Sequence, residues 1–133
     1  GDSSDVLMIT AAMRGKLLEL IAMADRPHDK NHQDRAFMVG TLSLLDTLLG
    51  IEMSKLVETL SIQKDMSEAL LSRRGYLGRQ LQLIESHEKG EFEQTTAILS
   101  ELGFLSFDEL TTMELEATTW ANRLSDAINQ SAA

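Results

Sequence analysis

The chain has 133 residues, a single proline, no cysteine and a formal net charge of −9 at pH 7. The missing cysteine excludes disulfides and thiolate chemistry, and the acidic excess opposes non-specific binding to a phosphate backbone. No apolar run reaches the ~18 residues of a membrane span and no basic N-terminal stretch leads into an apolar one. The expectation is therefore a cytoplasmic, all-α domain with neither nucleic acid nor membrane as a partner.

GDSSD (1–5) is a polar end running into a helix start, with Ser3 or Ser4 as N-cap and Asp5 in the first turn. Val6, Ile9, Met13, Leu17, Leu20 and Ile21 recur at spacings of three and four, which predicts a helix over 4–25 that ends before Pro27. RPHDKNHQD (26–34) is a polar connector. Its His28-Asp29 pair, with His32 on the same helical face as His28, has the donor types of a metal site. However, the pair follows a proline in a hydrophilic stretch, and no glutamate lies between the histidines as His-Glu-x-x-His chemistry requires. We expect an exposed loop there and no metal ligand.

AFMVGTLSLLDTLLGI (36–51) reads as the core helix. Leu44, Phe37, Leu48, Thr41, Leu45, Met38, Leu49 and Leu42 fall within an arc of roughly 160°, which suggests burial on more than one side. Gly50 stands where a helix stops. Gly40 costs roughly 1 kcal/mol relative to Ala inside a helix, so it is expected to let another backbone come close. Asp46 lies at the edge of the apolar arc, where a hydrogen-bonded or exposed role is expected over acid–base chemistry.

Two short helices follow, over 51–60 and 63–71. In SRRGYLG (72–78) a glycine turn comes after two arginines, and Arg73, Arg74 and Arg79 form the basic cluster of an acidic chain. They are a candidate interaction patch for a carboxylate or phosphate. The competing reading, which we favour, has them cap the preceding helix and pair with nearby glutamates. Further helices are predicted over 76–89, 91–102 and 107–129. Ser106 and Glu109 make a capping box for the last of them. Its stripe of Leu110, Met113, Ala117, Trp120, Leu124 and Ile128 makes Trp120 a packing anchor, and the tail NQSAA is expected to fray.

The segment 36–50 resembles the core helix of the HD superfamily of metal-dependent phosphohydrolases, in which an aliphatic-Gly-aliphatic run leads into a His-Asp pair. Ser43 and Leu44 stand in the places of that pair. Serine is a poor ligand for a divalent cation and leucine is none. Gly40, Ser43, Leu44 and Asp46 together resemble the motif of the HDOD domain, a metal-free relative of HD, and more narrowly the HDOD half of bacterial signalling proteins that carry an EAL domain in front. SRRGYLGRQLQLIESHEKGEFE (72–93) is similar to a segment of that group, although Arg74 and Tyr76 replace its usual acidic residue and proline. ELGFLSFDELTTMELEATTWANRL (101–124) resembles its last helix.

This resemblance implies a compact HD-like bundle of about six to seven helices, with residues 1–133 as the C-terminal portion of an HDOD domain taken from a longer EAL–HDOD protein. Apolar surface that earlier helices would cover must then be paired otherwise, for instance in a homodimer. No nucleophile elbow, phosphate loop or buried carboxylate pair assembles, so no catalytic, cofactor-binding or metal residue is assigned and no cofactor is expected. By resemblance the function is that of a non-catalytic signalling module acting through protein contacts. It would be tied to cyclic-di-GMP-type signalling through the EAL domain of the parent chain and unknown regulators. An HD-type phosphohydrolase and a helical dimerisation or scaffold module are the alternatives.

Overall fold

A computed structural model describes residues 3–132. Gly1, Asp2 and Ala133, the last being the end of the expected tail, lie outside the described residues, whereas Ser3 and Ser4, expected as N-cap, already belong to the first helix. The described residues are all-α, without strands, in eight helical segments: α1 (Ser3–Asp25), α2 (Lys30–Leu42), α3 (Leu45–Leu49), α4 (Met53–Thr59), α5 (Lys64–Ser72), α6 (Gly75–Glu88), α7 (Phe92–Leu102) and α8 (Phe107–Ala132). None of these helices is long and apolar enough to cross a membrane. Asp5 lies in the first turn of α1, and the Ser106–Glu109 capping box is made reciprocally at 3.0 and 3.1 Å. The last helix continues through the tail to Ala132 instead of fraying before it.

The core lies between α1 and α6. Leu17, Leu18 and Ile21 of α1 and Leu81, Leu83 and Ile84 of α6 are fully buried, joined by Ile98 of α7 and Leu110 of α8. Burying such a side chain stabilises by roughly 1.5–3 kcal/mol. Helix α1 packs most extensively along α2 and then α8, while α6 packs on α5 and α7.

Two expectations are corrected. The polar connector shrinks to residues 26–29, because Asp29 caps α2 by accepting from the His32 amide at 3.0 Å; His28 is exposed, but His32 and Gln33 are buried in the first turns of that helix. The expected core helix breaks at Ser43–Leu44, and its inward face is the opposite of the one its apolar arc suggests. Ala36, Val39, Gly40 and Ser43 are buried, whereas Met38 and Leu49 are exposed and no residue of α3 is buried.

The reason for the inversion is a close backbone approach. A Cβ on Gly40 would lie 2.4 Å from the Arg14 carbonyl oxygen and 2.7 Å from Cα of Gly15. Helices in such contact meet through their smallest residues, so the small arc of α2 turns toward α1 and the bulky arc overhangs at the side. The break itself follows from Ser43, whose hydroxyl donates to the Gly40 carbonyl at 2.6 Å; such back-bonding bends helices. Gly50, at φ 70°, then closes α3 in the left-handed conformation expected of it.

Gly40→Ala should lower stability by about 1–3 kcal/mol despite alanine's better helix propensity, because the obstructing atoms are backbone. Gly15→Ala meets the Thr41 hydroxyl first, at 2.2 Å, and the Phe37 carbonyl only at 3.0 Å. Urea titration followed by circular dichroism should therefore show the larger loss for Gly40→Ala.

Candidate functional site

The contact of Gly15 with Gly40 brings Arg14 of α1 beside Ser43 at the end of α2. Arg14 is 8% exposed. Its Nη1 donates to Ser43 Oγ at 3.0 Å, while Nε and Nη2 grip the Glu88 carboxylate at 3.0 and 2.7 Å. Nη1 also lies 3.5 Å from Glu85 Oε2. Ser43 Oγ, donating to Gly40 and accepting from Arg14, is engaged on both counts. A guanidinium therefore lies directly against Ser43 at the end of α2. Ser43 bound to a cation and an aliphatic Leu44 do not fit a divalent metal.

Arg73 closes the other side of this cluster. It stands at φ 55°, unusual for a residue with a side chain, and Gly78 permits it, since a Cβ there would lie 2.3 Å from the Arg73 carbonyl carbon. The conformation aims the guanidinium at Glu85, with two hydrogen bonds of 2.8 Å, and at the Leu70 carbonyl at 2.6 Å. These bonds to Glu85, with the charges of Glu85 and Asp46, raise the Arg73 pKa against the opposing effect of burial. Burial pushes the Glu85 carboxyl up, but the hydrogen bonds and charge of Arg73, followed by the charges of Arg14 and Lys89, hold it below its ordinary value. Asp46 contributes through charge alone, its Oδ1 accepting from the Thr47 amide at 2.8 Å.

The three arginines of the candidate patch do not converge. Arg73 points inward to Glu85, Arg74 is exposed at the start of α6, and Arg79 reaches Glu101 of α7 with a bond of 2.8 Å. Of the motif residues, Ser43 and Asp46 join the cluster, Gly40 makes the helix contact, and Leu44 sits at the break. Sequence reasoning missed Arg14, Glu85 and Glu88. Arg14 carried a readable signal, since it directly follows Met13 on the apolar stripe of α1 and directly precedes a glycine. Glu85 follows Leu81 by four residues on the inward face of α6, but nothing local marks its partner. Among the described residues, no three His, Cys, Asp or Glu side chains are grouped as a metal site would need.

The overhanging arc of α2 and α3 has its own place. Phe37, Thr41, Leu45 and Leu48 form one wall of an open groove of about 660 Å³, opposite Val6 and Ile9 of α1 and Trp120, Leu124 and Ile128 of α8. Trp120 meets the Phe37 ring edge-on at 6.0 Å and carries Lys16 over its face at 5.4 Å. Val6, Leu124 and Ile128 are more than a third exposed, so the apolar stripe of α8 runs out of the core and into this groove.

The chain is similar to the cyclic di-GMP phosphodiesterase CdgJ of Vibrio cholerae, with 37% identity over 105 residues, which are 77% of this chain and 24% of that protein. It is also similar to the protein YuxH of Bacillus subtilis, with 32% identity over 117 residues, 86% of this chain and 27% of that protein. The chain thus spans about a quarter of the length of the curated relatives it matches. No family profile matches it, and no solved structure does.

The ion cluster has a consequence for acid stability. A carboxyl whose folded pKa lies below its ordinary 4.5 stabilises fully above that value and loses the contribution as pH falls through the folded one. The drop in urea midpoint between about pH 7 and about pH 3 should be smaller in Glu85→Gln than in the native chain. Arg14→Ala, which leaves Glu88 without its bidentate partner, should cost about 3–5 kcal/mol at neutral pH.

Proposed function

We propose that this chain is a non-catalytic regulatory module, the C-terminal portion of an HDOD domain within a longer EAL–HDOD protein. In this reading it works in cyclic-di-GMP signalling in the cytoplasm. The observation that carries the proposal is the Arg14–Ser43 bond, which sets a cation against the residue standing where the HD hydrolases that this segment resembles need a metal ligand. Similarity to a protein named as a cyclic di-GMP phosphodiesterase supplies the signalling context. That similarity covers a quarter of the relative, so the phosphodiesterase chemistry is assigned here to sequence outside this chain.

The apolar groove is the contact surface of the module. Its occupant is a preceding segment of the longer protein, packed through an apolar helix face against α3 and α8. A helix laid in such a groove is held by anchors at helical spacing, and the groove offers Leu45 and Leu48 on one wall and Trp120, Leu124 and Ile128 on the other. Movement of that segment would then be felt at both the groove and the EAL domain, giving the module its means of coupling.

Two measurements test this function. In the parent EAL–HDOD protein, Leu124→Asp combined with Ile128→Asp should change cyclic-di-GMP turnover severalfold, while the isolated module, in which both residues are already exposed, keeps its fold. Unchanged turnover would remove the coupling role. Calorimetric titration of the module with manganese, magnesium and zinc should show no stoichiometric binding. Stoichiometric binding that survives His28→Ala would favour the phosphohydrolase reading instead.

A further inference from the structure

The groove wall supplied by α3 belongs to a stretch of chain with little hold on the rest of the molecule. Residues 44–61 comprise α3, the turn at Gly50 and α4, and Leu56 is the one buried residue among them. Met53 and Val57 of α4 are partly buried and pack on the core cluster. Helix α4 thereby rests on α5, while α3 lies against α1 and α2.

No side-chain hydrogen bond fastens this stretch to another helix. The bond of Asp46 to the Thr47 amide is local, and the turn bonds of the backbone run between residues 44 and 62. Among the described residues, Glu52, Lys55 and Glu58 enter no ion pair. The N-caps of both helices, Leu44 and Glu52, offer no side-chain bond either. The flanks, by contrast, are fixed. Ser43 accepts from Arg14 at 3.0 Å, and Ile62, packed on the core, accepts from the Ser67 hydroxyl at 3.1 Å. Just inside them the backbone departs from helix: α2 breaks before α3, and Ser61 stands at φ 52°, unusual for a residue with a side chain.

A segment with few buried apolar contacts and no long-range polar bond has a low free energy of local opening. Strained backbone at its ends is what a bistable element carries. Helix α3 also stands between the two surfaces already described. Leu45 and Leu48 face the groove, whereas Asp46 acts on Arg73 through charge.

We propose that residues 44–61 form a strap that opens as one unit between Ser43 and Ser61, and that an apolar helix seated in the groove clamps it shut. The clamp rests on the reading of the groove as a contact surface; the opening of the strap does not. Opening carries Leu45 and Leu48 off the groove wall and Asp46 away from Arg73. A helix anchored on both leucines therefore binds the closed form alone and stabilises it by mass action. When that helix leaves, the strap is released and its inner side, Met53, Leu56 and Val57, is uncovered. Occupancy of the groove is thus converted into exposure of an apolar face at α4 and α5.

The test is amide hydrogen exchange of the full 133-residue chain, read residue by residue by NMR. The hydrogen-bonded amides of Leu48 in α3 and of Leu56 and Leu60 at α4 should share one opening constant, at least about a hundredfold larger than that of Leu81 to Ile84 in α6. Leu56→Ala should raise the opening of all three by about tenfold or more, including Leu48 on the other helix. Ile84→Val lowers the stability of the core and should speed exchange in α6 severalfold, yet leave the strap amides unchanged, because Ile84 stays packed when the strap opens. A strap as protected as α6, a Leu56→Ala effect confined to α4, or strap rates that follow Ile84→Val would each overturn the proposal. In the parent EAL–HDOD protein the same amides, followed by mass spectrometry, should exchange about tenfold or more slowly than in the isolated chain, and Leu124→Asp with Ile128→Asp should restore the faster rate. Equal rates in parent and isolated chain would overturn the clamp, whereas failure of the groove as a contact surface shows separately, as unchanged cyclic-di-GMP turnover in the double variant.

Discussion

The contact between the backbones of α1 and α2 at Gly15 and Gly40 is the constraint on which the remaining features rest. With Gly40 pressed on the Arg14 carbonyl, the guanidinium of the same arginine lies beside the last turn of α2, where Ser43 meets it. The bulky arc of α2 is thereby turned off the core, and the groove between α1, α3 and α8 exists because those side chains overhang. A single close approach thus sets a polar cluster on one side of the helix pair and an apolar surface on the other.

The polar cluster is a chain of alternating charge: Glu88, Arg14, Glu85, Arg73, with Asp46 completing it. Such a network is costly to bury unless each member is bonded, and here the arginines use their forked geometry to satisfy two carboxylates on one face of α6. Its specificity is positional. Arg14 belongs to α1, Ser43 to α2, Arg73 to the end of α5 and both glutamates to α6, so the network ties four helices in one arrangement. The strained backbone at Arg73 is tolerated within the same set of bonds.

Much of the architecture was legible in the sequence. The helix periods, the stop at Gly50, the capping box at Ser106 and, among the described residues, the absence of strands are local matters, and local spacing and turn chemistry state them. The expectation that another backbone would approach Gly40 also followed from a local cost, namely a glycine placed where helix propensity opposes it. The pairing of Arg73 with a glutamate was the bland reading of that turn, and it describes the geometry.

What the sequence by itself determined is the helical content, the approximate boundaries and the small residue at the helix contact, because each depends on neighbours within a few positions. The tertiary structure alone decided which face of the 36–51 segment is buried, since apolar content ranks faces by hydrophobicity, whereas close packing of two backbones ranks them by size. It alone decided that the guanidinium of Arg14, 29 residues away in the chain, meets Ser43 at the end of α2. It also decided that His32 is buried against Tyr76, a ring 44 positions further on, while its neighbour His28 remains exposed. In each case the deciding partner is distant in sequence, and no local pattern carries its identity.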